Sequence, residues 1–253
     1  MIQKIRTIGF YTKGFLYILL GILTFLAALN LGGKVANKNG VIKFLEDQIF
    51  GKILLIIIGL GILAYAIWRF FKAYKVLKKE DNNKKYFLSI DFFTRGIIYG
   101  SFGVSILYKV FNIASKDVSK ETIASNVLKL ENGQYILYAM AIIVFFSALN
   151  QFYIVYKKNY LNNIKKSENI ESFSFLKKSG KFGITSRGVS FLIFAWFIYK
   201  AASTKNPDKI KGTQEMFRYL HSLSFGDILM AVMALGFISY GIFQYFYARY
   251  STY

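Results

Sequence analysis

The 253-residue chain contains no cysteine, one histidine and one proline. Without cysteine there is no disulfide scaffold and no thiolate ligand. The single histidine, His221, is far short of the three or four ligands of a zinc or transition-metal site. Only 13 residues are acidic, and none lies inside the apolar runs described below, where a proton-coupled transporter commonly has a carboxylate. These absences argue against an enzyme, and we expect no cofactor and no metal.

Apolar residues are abundant and are arranged in long runs. Hydrophobic residues make up 55% of the chain and charged residues 18%, whereas soluble domains average about 45–50% and about 25%. A membrane-spanning helix needs about 20 mostly apolar residues. Six stretches lack Asp, Glu, Lys and Arg: residues 14–33, 53–68, 96–108, 132–156, 188–199 and 228–248. The three short stretches are flanked by Lys or Arg, whose alkyl stems extend the usable length. We therefore predict six spans.

The charge of the loops predicts the direction in which these spans cross. The side that holds both termini carries 20 of the 33 basic residues and a net charge of +15, against +5 on the other side. Because Lys and Arg accumulate on the cytoplasmic side, both termini are predicted to be cytoplasmic in the cell (inner) membrane. The Lys-rich inner loops, residues 72–85 and 157–181, are expected to attract anionic lipid. Topology thus explains most of the positive charge without a specific nucleic-acid partner.

The same local pattern opens the first, third and fifth spans. A basic residue is followed directly by glycine, after four residues by an aromatic and after eight by a small residue. The three copies are Lys13, Gly14, Tyr17 and Gly21; Arg95, Gly96, Tyr99 and Gly103; and Arg187, Gly188, Phe191 and Ala195. Such self-similarity is the signature of internal repeats.

The even-numbered spans repeat as well, most clearly the second and the sixth. At a constant offset of 175 residues, Gly51, Gly61, Tyr65, Trp68 and Ala73 match Gly226, Gly236, Tyr240, Phe243 and Ala248. The fourth span has diverged. It has Ile143, Ser147 and Asn150 where the other two have Gly, Tyr and an aromatic residue.

These repeats predict an all-α integral membrane protein of six transmembrane helices. The helices form three parallel two-helix repeats, residues 1–80, 81–170 and 171–253, which together make one membrane domain with pseudo-threefold symmetry. Apolar residues at helical spacing predict a short interfacial helix on the outer side of each repeat, with an ordinary polar loop as the alternative. The apolar residues are Ile42, Leu45 and Ile49; Ile123, Val127 and Leu130; and Met216 or Phe217 with Leu220 and Leu223.

The repeated pattern also carries a family resemblance. Together with residues 59–69, which read Gly-Leu-Gly-Ile-Leu-Ala-Tyr-Ala-Ile-Trp-Arg, it resembles a bacterial membrane family catalogued as domain of unknown function 1206. The resemblance implies three two-helix repeats over nearly the whole chain. It assigns no activity to any residue.

Three repeated cations form the first candidate site. Lys13, Arg95 and Arg187 each begin an outward-going span, four residues before an aromatic side chain on the same helix face. If the odd-numbered spans surround the pseudo-threefold axis, the cations form a ring that attracts an anion or a lipid phosphate. The alternative is that each cation is an interfacial anchor. The supporting aromatic residues are Tyr17, Tyr99 and Phe191.

Two further sets of residues stand out within the spans. The polar set predicts either a wet cavity towards the cytoplasmic leaflet or ordinary interhelical hydrogen bonds, and comprises Arg69, Ser147, Asn150, Gln151, Ser239 and Gln244. The small-residue set predicts close helix packing, and comprises Gly14, Gly21, Gly61, Gly96, Gly103, Gly188 and Gly236.

Two functions remain open from the sequence. The first is a small transporter or channel for an anion or small solute on the pseudo-threefold axis. The second is a structural, lipid-binding or partner-binding membrane protein with a solid helix bundle. Membrane lipids, anionic on the cytoplasmic face, are the expected partners in both.

Overall fold

A computed structural model describes residues 2–31, 38–79, 84–111, 125–162, 164 and 170–251. Within these ranges, eight α-helices of nine residues or more dominate the structure. They are α1 (Ile2–Ala28), α2 (Lys38–Glu46), α3 (Gly51–Lys79), α4 (Lys84–Val110), α5 (Gly133–Tyr156), α6 (Ile170–Thr204), α7 (Thr213–His221) and α8 (Gly226–Tyr250). Short 3₁₀ helices cover Asn159–Leu161 and Pro207–Lys209.

Six of the helices in the described ranges are long and apolar enough to cross a membrane: α1, α3, α4, α5, α6 and α8. The prediction of a multi-pass membrane protein with six spans is thus confirmed. Most helices continue well beyond the charge-free stretches from which they were predicted. The reason is that Lys and Arg are good helix formers and place their charges outside the apolar layer, so a cation does not end a helix.

The end of the first span was predicted wrongly. The apolar run extends to Gly33, which lies outside the described residues, but α1 ends at Ala28. Asn30 has a φ of 56°, in the left-handed region, and the N–H of Leu31 donates to the carbonyl of Leu26 over 2.9 Å. Asparagine tolerates this conformation. The hydrogen bond from Leu31 to Leu26 spans five residues instead of the four of an α-helix, and such a bond ends the helix at its C-terminus.

Short helices form at two of the three places where interfacial helices were predicted, as α2 and α7. Each buries one apolar face, with Val41, Ile42 and Leu45 in α2 and Met216, Phe217 and Leu220 in α7. Two predicted members of these faces lie beyond the helix ends and are exposed, Ile49 at 96% and Leu223 at 40%. In the middle repeat Ile123 lies outside the described residues, and residues 125–128 form a single helical turn.

The chain divides into two compact units. The first comprises Met1–Leu16, Ile42–Ser115 and Gln244–Tyr253. Its core is aromatic: the ring centroid of Phe10 lies 5.2 Å from that of Tyr65 and 5.0 Å from that of Trp68.

The second unit comprises Tyr17–Val41 and Lys116–Phe243. In its core Phe217 of α7 packs against Phe237 of α8, with ring centroids 5.5 Å apart. The division of the chain into three repeats stays a prediction.

Most of the glycines that were predicted to pack lie directly against another helix. In the first unit, Gly61 lies against Thr12, Gly96 against Phe70 and Gly103 against Leu63. In the second unit, Gly21 lies against Ala234, Gly188 against Phe152 and Gly236 against Ser186. Gly14 is buried.

Candidate functional site

Two cations share one buried phenol oxygen in the first unit. The Nζ of Lys13 donates a hydrogen bond to the hydroxyl of Tyr65 over 3.2 Å. The Nε of Arg69 donates to the same oxygen over 2.9 Å, and its Nη2 makes a second, shorter contact there. Tyr65 has no exposed surface, and Lys13 and Arg69 are only 4% and 9% exposed. We refer to Lys13, Tyr65 and Arg69 as the buried cation cluster.

Aromatic rings surround the buried cation cluster. The Nζ of Lys13 lies 4.9 Å from the ring centroid of Tyr65 and 5.3 Å from that of Tyr99. The guanidinium carbon of Arg69 lies 4.7 Å from the ring of Trp68 and 5.3 Å from that of Phe92. Ring faces attract cations and compensate in part for the water that burial removes.

Glycine brings the two helices of this site close enough for the contact. A Cβ on Gly9 of α1 would lie 2.6 Å from the Cα of Tyr65 in α3, and one on Gly61 would collide with the side chain of Thr12. The backbones therefore meet almost directly at these two positions. Because Lys13 follows Gly9 by one helical turn, its side chain reaches the hydroxyl of Tyr65.

The second unit holds a matching site. Arg187 of α6 donates from Nη1 to the hydroxyl of Tyr240 in α8 over 2.7 Å. Its guanidinium carbon lies 4.4 Å from the ring centroid of Tyr240, 5.2 Å from that of Phe191 and 6.0 Å from that of Tyr17. Gly183 lies against the backbone of Tyr240, as Gly9 lies against that of Tyr65.

Ring packing beside the two tyrosines is also the same. The centroids of Tyr65 and Tyr99 are 4.8 Å apart with an interplanar angle of 77°. The centroids of Tyr240 and Tyr17 are 4.8 Å apart with an angle of 74°. Both are edge-to-face pairs, the geometry that aromatic quadrupoles favour. The similarity of the first and third sequence copies therefore extends to individual contacts.

The middle cation has a different partner. Arg95 donates to the carboxylate of Asp91 over 2.7 Å, one turn away on the same helix. The sequence position that holds tyrosine in the other copies is Ser147, which donates to the carbonyl of Ile143 in its own helix over 2.8 Å. A serine side chain is too short to bridge two helices as a tyrosine does. The ring of Lys13, Arg95 and Arg187 around one axis stays a prediction.

The polar set predicted from the sequence has varied surroundings. In the first unit, Arg69 belongs to the buried cation cluster, and Gln244 is 4% exposed. The Oε1 of Gln244 has no hydrogen-bond partner among the described residues.

In the second unit, Gln151 is buried and its Cβ lies beside Gly188. Ser147 and Ser239 are half-buried, and Asn150 is exposed. A single cavity lined by all members of the polar set stays a prediction.

Sequence reasoning missed two parts of the site. It matched Tyr65 with Tyr240 but did not identify their hydroxyls as the partners of the cations. It also passed over Arg6, which is 5% exposed and donates to the hydroxyl of Ser251 over 2.6 Å and to its carbonyl over 3.1 Å. The Nη2 of Arg6 also donates to the carbonyl of Ala248, in the last turn of α8, over 3.4 Å, and a cation there stabilises the negative end of that helix. The recurrence of tyrosine at a constant offset could have indicated the role of the two hydroxyls. Nothing in the sequence indicated the role of Arg6.

A buried tyrosine lies in the loop after α5. The hydroxyl of Tyr160 donates to the carbonyl of Lys177 over 3.0 Å, and its ring packs edge-on against Phe243 at 5.7 Å. Burial raises the pKa of Tyr160 above the ordinary value of 10.0, because the ionised phenolate would lose its water.

Among the described residues, no group of three or more His, Cys, Asp and Glu side chains is placed to hold a metal ion. The single histidine, His221, pairs instead with Asp227, with Nε2 and Oδ1 3.0 Å apart. This pair lies at the turn that joins α7 to α8.

Comparison with known proteins adds two findings. The profile of the family described as Domain of Unknown Function (DUF1206) matches residues 8–76 and 182–251, which are the first and third sequence copies. The uncharacterized protein YxxB of Bacillus subtilis (strain 168) is 27% identical over 246 residues, which cover 96% of this chain and 88% of that protein. No solved structure matches.

Proposed function

Because the chain belongs to the family described as Domain of Unknown Function (DUF1206), whose description assigns no activity, we propose a function from the site itself. The protein is a non-enzymatic, multi-pass protein of the cell (inner) membrane that binds an anionic group near the cytoplasmic face. The shared chemistry of that group is a phosphate or similar anion, carried by a lipid headgroup or free in solution.

The buried cation cluster is the observation that carries this proposal. Lys13 and Arg69 both direct donors at the single oxygen of Tyr65, so two positive charges lie close together in a buried, aromatic site. An anion beside the two cations would be attracted by both positive charges, and burial would strengthen that attraction because it reduces the screening by water.

The distribution of charge supports the cytoplasmic location. The predicted inner side carries +15 and includes the Lys-rich loops at 72–85 and 157–181. Each Lys or Arg near an anionic membrane surface contributes about 1 kcal/mol of attraction. Anionic lipid would thus be concentrated where Lys13 and Arg69 enter the membrane.

A pseudo-threefold arrangement of the three repeats is part of the proposal. Lys13 of the first repeat contacts Tyr99 of the second, and Arg187 of the third contacts Tyr17 of the first. Both contacts join a cation to the aromatic residue of the next repeat in cyclic order. The proposal keeps the three cations around one inner mouth, as the sequence repeats predict.

Tryptophan fluorescence tests the proposed binding. The chain has two tryptophans, so Trp196→Phe leaves Trp68, which lies 4.7 Å from Arg69, as the only reporter. Titration of the purified protein with short-chain phosphatidylglycerol, or with inorganic phosphate, should change the Trp68 emission saturably. Phosphatidylcholine should not. A response to phosphate as well as to phosphatidylglycerol would identify the free anion as a ligand, and a response to phosphatidylglycerol alone would identify the lipid.

Substitution assigns the response to the cluster. Lys13→Gln and Arg69→Gln should each weaken the response at least about tenfold, the effect of losing one charge-assisted hydrogen bond or more. Lys200→Gln is the control, because that cation is exposed and belongs to the other compact unit. Equal titrations for all three variants would refute the proposed site.

Anion flux in proteoliposomes separates transport from binding alone. If the cations line a path on the axis, the wild type conducts and the combined Lys13→Gln, Arg95→Gln and Arg187→Gln variant does not. A solid, lipid-binding bundle is the second candidate, favoured by the direct backbone contact of Gly9 with Tyr65. It predicts no flux in either protein.

A further inference from the structure

A line of polar side chains continues from the buried cation cluster along α3. Tyr65, Arg69 and Lys72 follow one another at steps of four and three residues, so they lie on one face of the helix. Lys72 is not a member of the cluster. It extends the line by one helical turn towards Lys79, where α3 ends.

Burial decreases along this line. Tyr65 has no exposed surface, Arg69 is 9% exposed and Lys72 is half-buried. At a rise of 1.5 Å per residue, the step from Tyr65 to Lys72 covers about 10 Å of helix. The two cations therefore form a graded series between a fully buried phenol and the end of the helix, with Arg69 deep and Lys72 shallow.

Lys72 and Arg69 lie over the same two aromatic rings, those of Trp68 in α3 and Phe92 in α4, which we call the shared rings. The Nζ of Lys72 is 5.6 Å from the ring centroid of Trp68 and 4.9 Å from that of Phe92. The guanidinium carbon of Arg69 is 4.7 Å and 5.3 Å from the same two centroids. Each ring attracts both cations and holds them beside it. An anion that meets Lys72 is thus already close to Arg69.

An acidic residue precedes Phe92 in α4, and it is paired. The carboxylate of Asp91 accepts from Arg95 over 2.7 Å, one turn along the same helix. This contact offsets much of the negative charge of Asp91. The cations over Phe92 therefore dominate the local potential.

We propose that Lys72 is the entry residue of the anion site: an anionic group meets Lys72 first and passes along the shared rings to Arg69 and the buried cation cluster. The inference rests on the proposed function and adds to it the route of the ligand and a further residue. A half-buried charge steers an approaching anion and raises the association rate. The buried, hydrogen-bonded cations retain the anion and set the dissociation rate. On the predicted topology, the route opens to the cytoplasm.

Stopped-flow fluorescence of Trp68 separates the two rates. In the Trp196→Phe background, the purified protein is mixed with inorganic phosphate or with short-chain phosphatidylglycerol, and the observed rate is plotted against ligand concentration. The slope gives the association rate constant and the intercept the dissociation rate constant. Rates are compared rather than amplitudes, because Lys72 lies over Trp68 and its loss changes the emission of the unbound protein.

Substitution of Lys72 should slow entry alone. Lys72→Gln should lower the association rate constant about 3- to 10-fold at low salt and change the dissociation rate constant less than about twofold. The loss should vanish near about 0.5 M salt, where the Debye length is only about 4 Å. Lys72→Arg, which keeps the charge over the shared rings, should stay close to wild type. Lys13→Gln should instead raise the dissociation rate constant.

Lys78→Gln is the matched control. Lys78 is an exposed cation of the same helix, 5.9 Å from the ring centroid of Tyr74, and it lies on a different face from Lys72. Its loss removes the same charge, so the association rate constant should stay within about twofold of wild type.

Three results would overturn the entry route. Equal association rates for Lys72→Gln and Lys78→Gln, with a wild type that binds, would refute it and leave the proposed function intact. A slower association of Lys72→Gln that persists at high salt would assign the effect to altered packing rather than to steering. A wild type without a saturable response would overturn the proposed function and the entry route together.

Discussion

Lys13 donates a hydrogen bond to the hydroxyl of Tyr65 over 3.2 Å, although 52 residues separate them. In the other compact unit Arg187 makes the same contact with Tyr240 over 2.7 Å, at a separation of 53 residues. The contact survives the exchange of lysine for arginine because it requires only a cationic donor at the end of a long stem. The same cation–tyrosine contact is therefore made by two different residue pairs, at equivalent positions of the first and third sequence copies.

Loss of the tyrosine hydroxyl should be costlier in the first repeat than in the third. Tyr65→Phe removes the acceptor of two buried cations and should lower the free energy of unfolding by about 3 kcal/mol or more. Tyr240→Phe removes the acceptor of one half-buried cation, so its cost should be about 1–2 kcal/mol. Denaturant unfolding in detergent, followed by circular dichroism, measures both. Equal losses would show that Arg69 does not depend on Tyr65.

Alanine should be tolerated at one glycine and rejected at another. A Cβ on Gly9 would lie 2.6 Å from backbone atoms of Tyr65, whereas one on Gly100 would lie 3.6 Å from the Cβ of Ala66, an ordinary contact. Gly9→Ala should therefore lower the free energy of unfolding by about 1–3 kcal/mol, measured as a lower midpoint of thermal unfolding. Gly100→Ala should be neutral or stabilising by up to about 1 kcal/mol, because alanine is the better helix former. A Gly9→Ala protein as stable as wild type would contradict the close backbone approach.

Stability should fall at alkaline pH through Tyr160. Its pKa is raised by burial above 10.0 in the folded state. Below about pH 10 both the folded and the unfolded chain hold the proton, and the hydrogen bond to Lys177 stabilises the fold by about 0.5–1.5 kcal/mol. Above that pH the unfolded chain ionises first, so the folded state loses relative stability.

The variant Tyr160→Phe isolates this effect. It lacks the hydroxyl and does not titrate, so it should be less stable than wild type at pH 8, and the difference should shrink as pH rises past about 10. Unfolding of the two proteins in parallel removes the contribution of the other tyrosines and lysines. A difference that stays constant up to pH 11 would be inconsistent with the raised pKa.

Cysteine labelling tests the predicted direction of the spans. Lys157 and Lys209 are both exposed and follow different spans, and the chain has no cysteine of its own. With cytoplasmic termini, a membrane-impermeant maleimide should label Lys209→Cys in intact cells but Lys157→Cys only after permeabilisation. The reverse pattern would invert the topology and place the buried cation cluster near the outer face.

The spans were predictable because they depend on local composition. An apolar run of sufficient length has few alternatives to a membrane helix, and copies such as Gly61 and Gly236 recur at a fixed offset whatever the fold. The ends of the helices were harder to predict from the sequence. The left-handed conformation of Asn30 closes α1 five residues before the apolar run stops, and hydropathy does not report backbone angles.

The candidate site was predictable only in part. The three repeated cations were evident from the sequence, but their partners were not. Arg95 pairs with Asp91 on its own helix, as the spacing suggests, whereas Lys13 reaches Tyr65 on another helix. A four-residue spacing fixes which side chains share a helix face, and it carries no information about the side chains of the neighbouring helix.

The sequence by itself determined that this is a six-span, positively charged membrane protein in which one sequence pattern recurs. Length, hydropathy and the position of charge are sufficient for that, because each side chain must suit either the apolar layer of the membrane or the water beside it. Only the tertiary structure decided that Lys13 and Arg69 share the hydroxyl of Tyr65 and that Asn150 faces outward. Those relationships depend on how closely two backbones approach and on the rotation of each helix about its axis. At Tyr65 the close approach of the backbones is made by Gly9, 56 residues earlier in the chain.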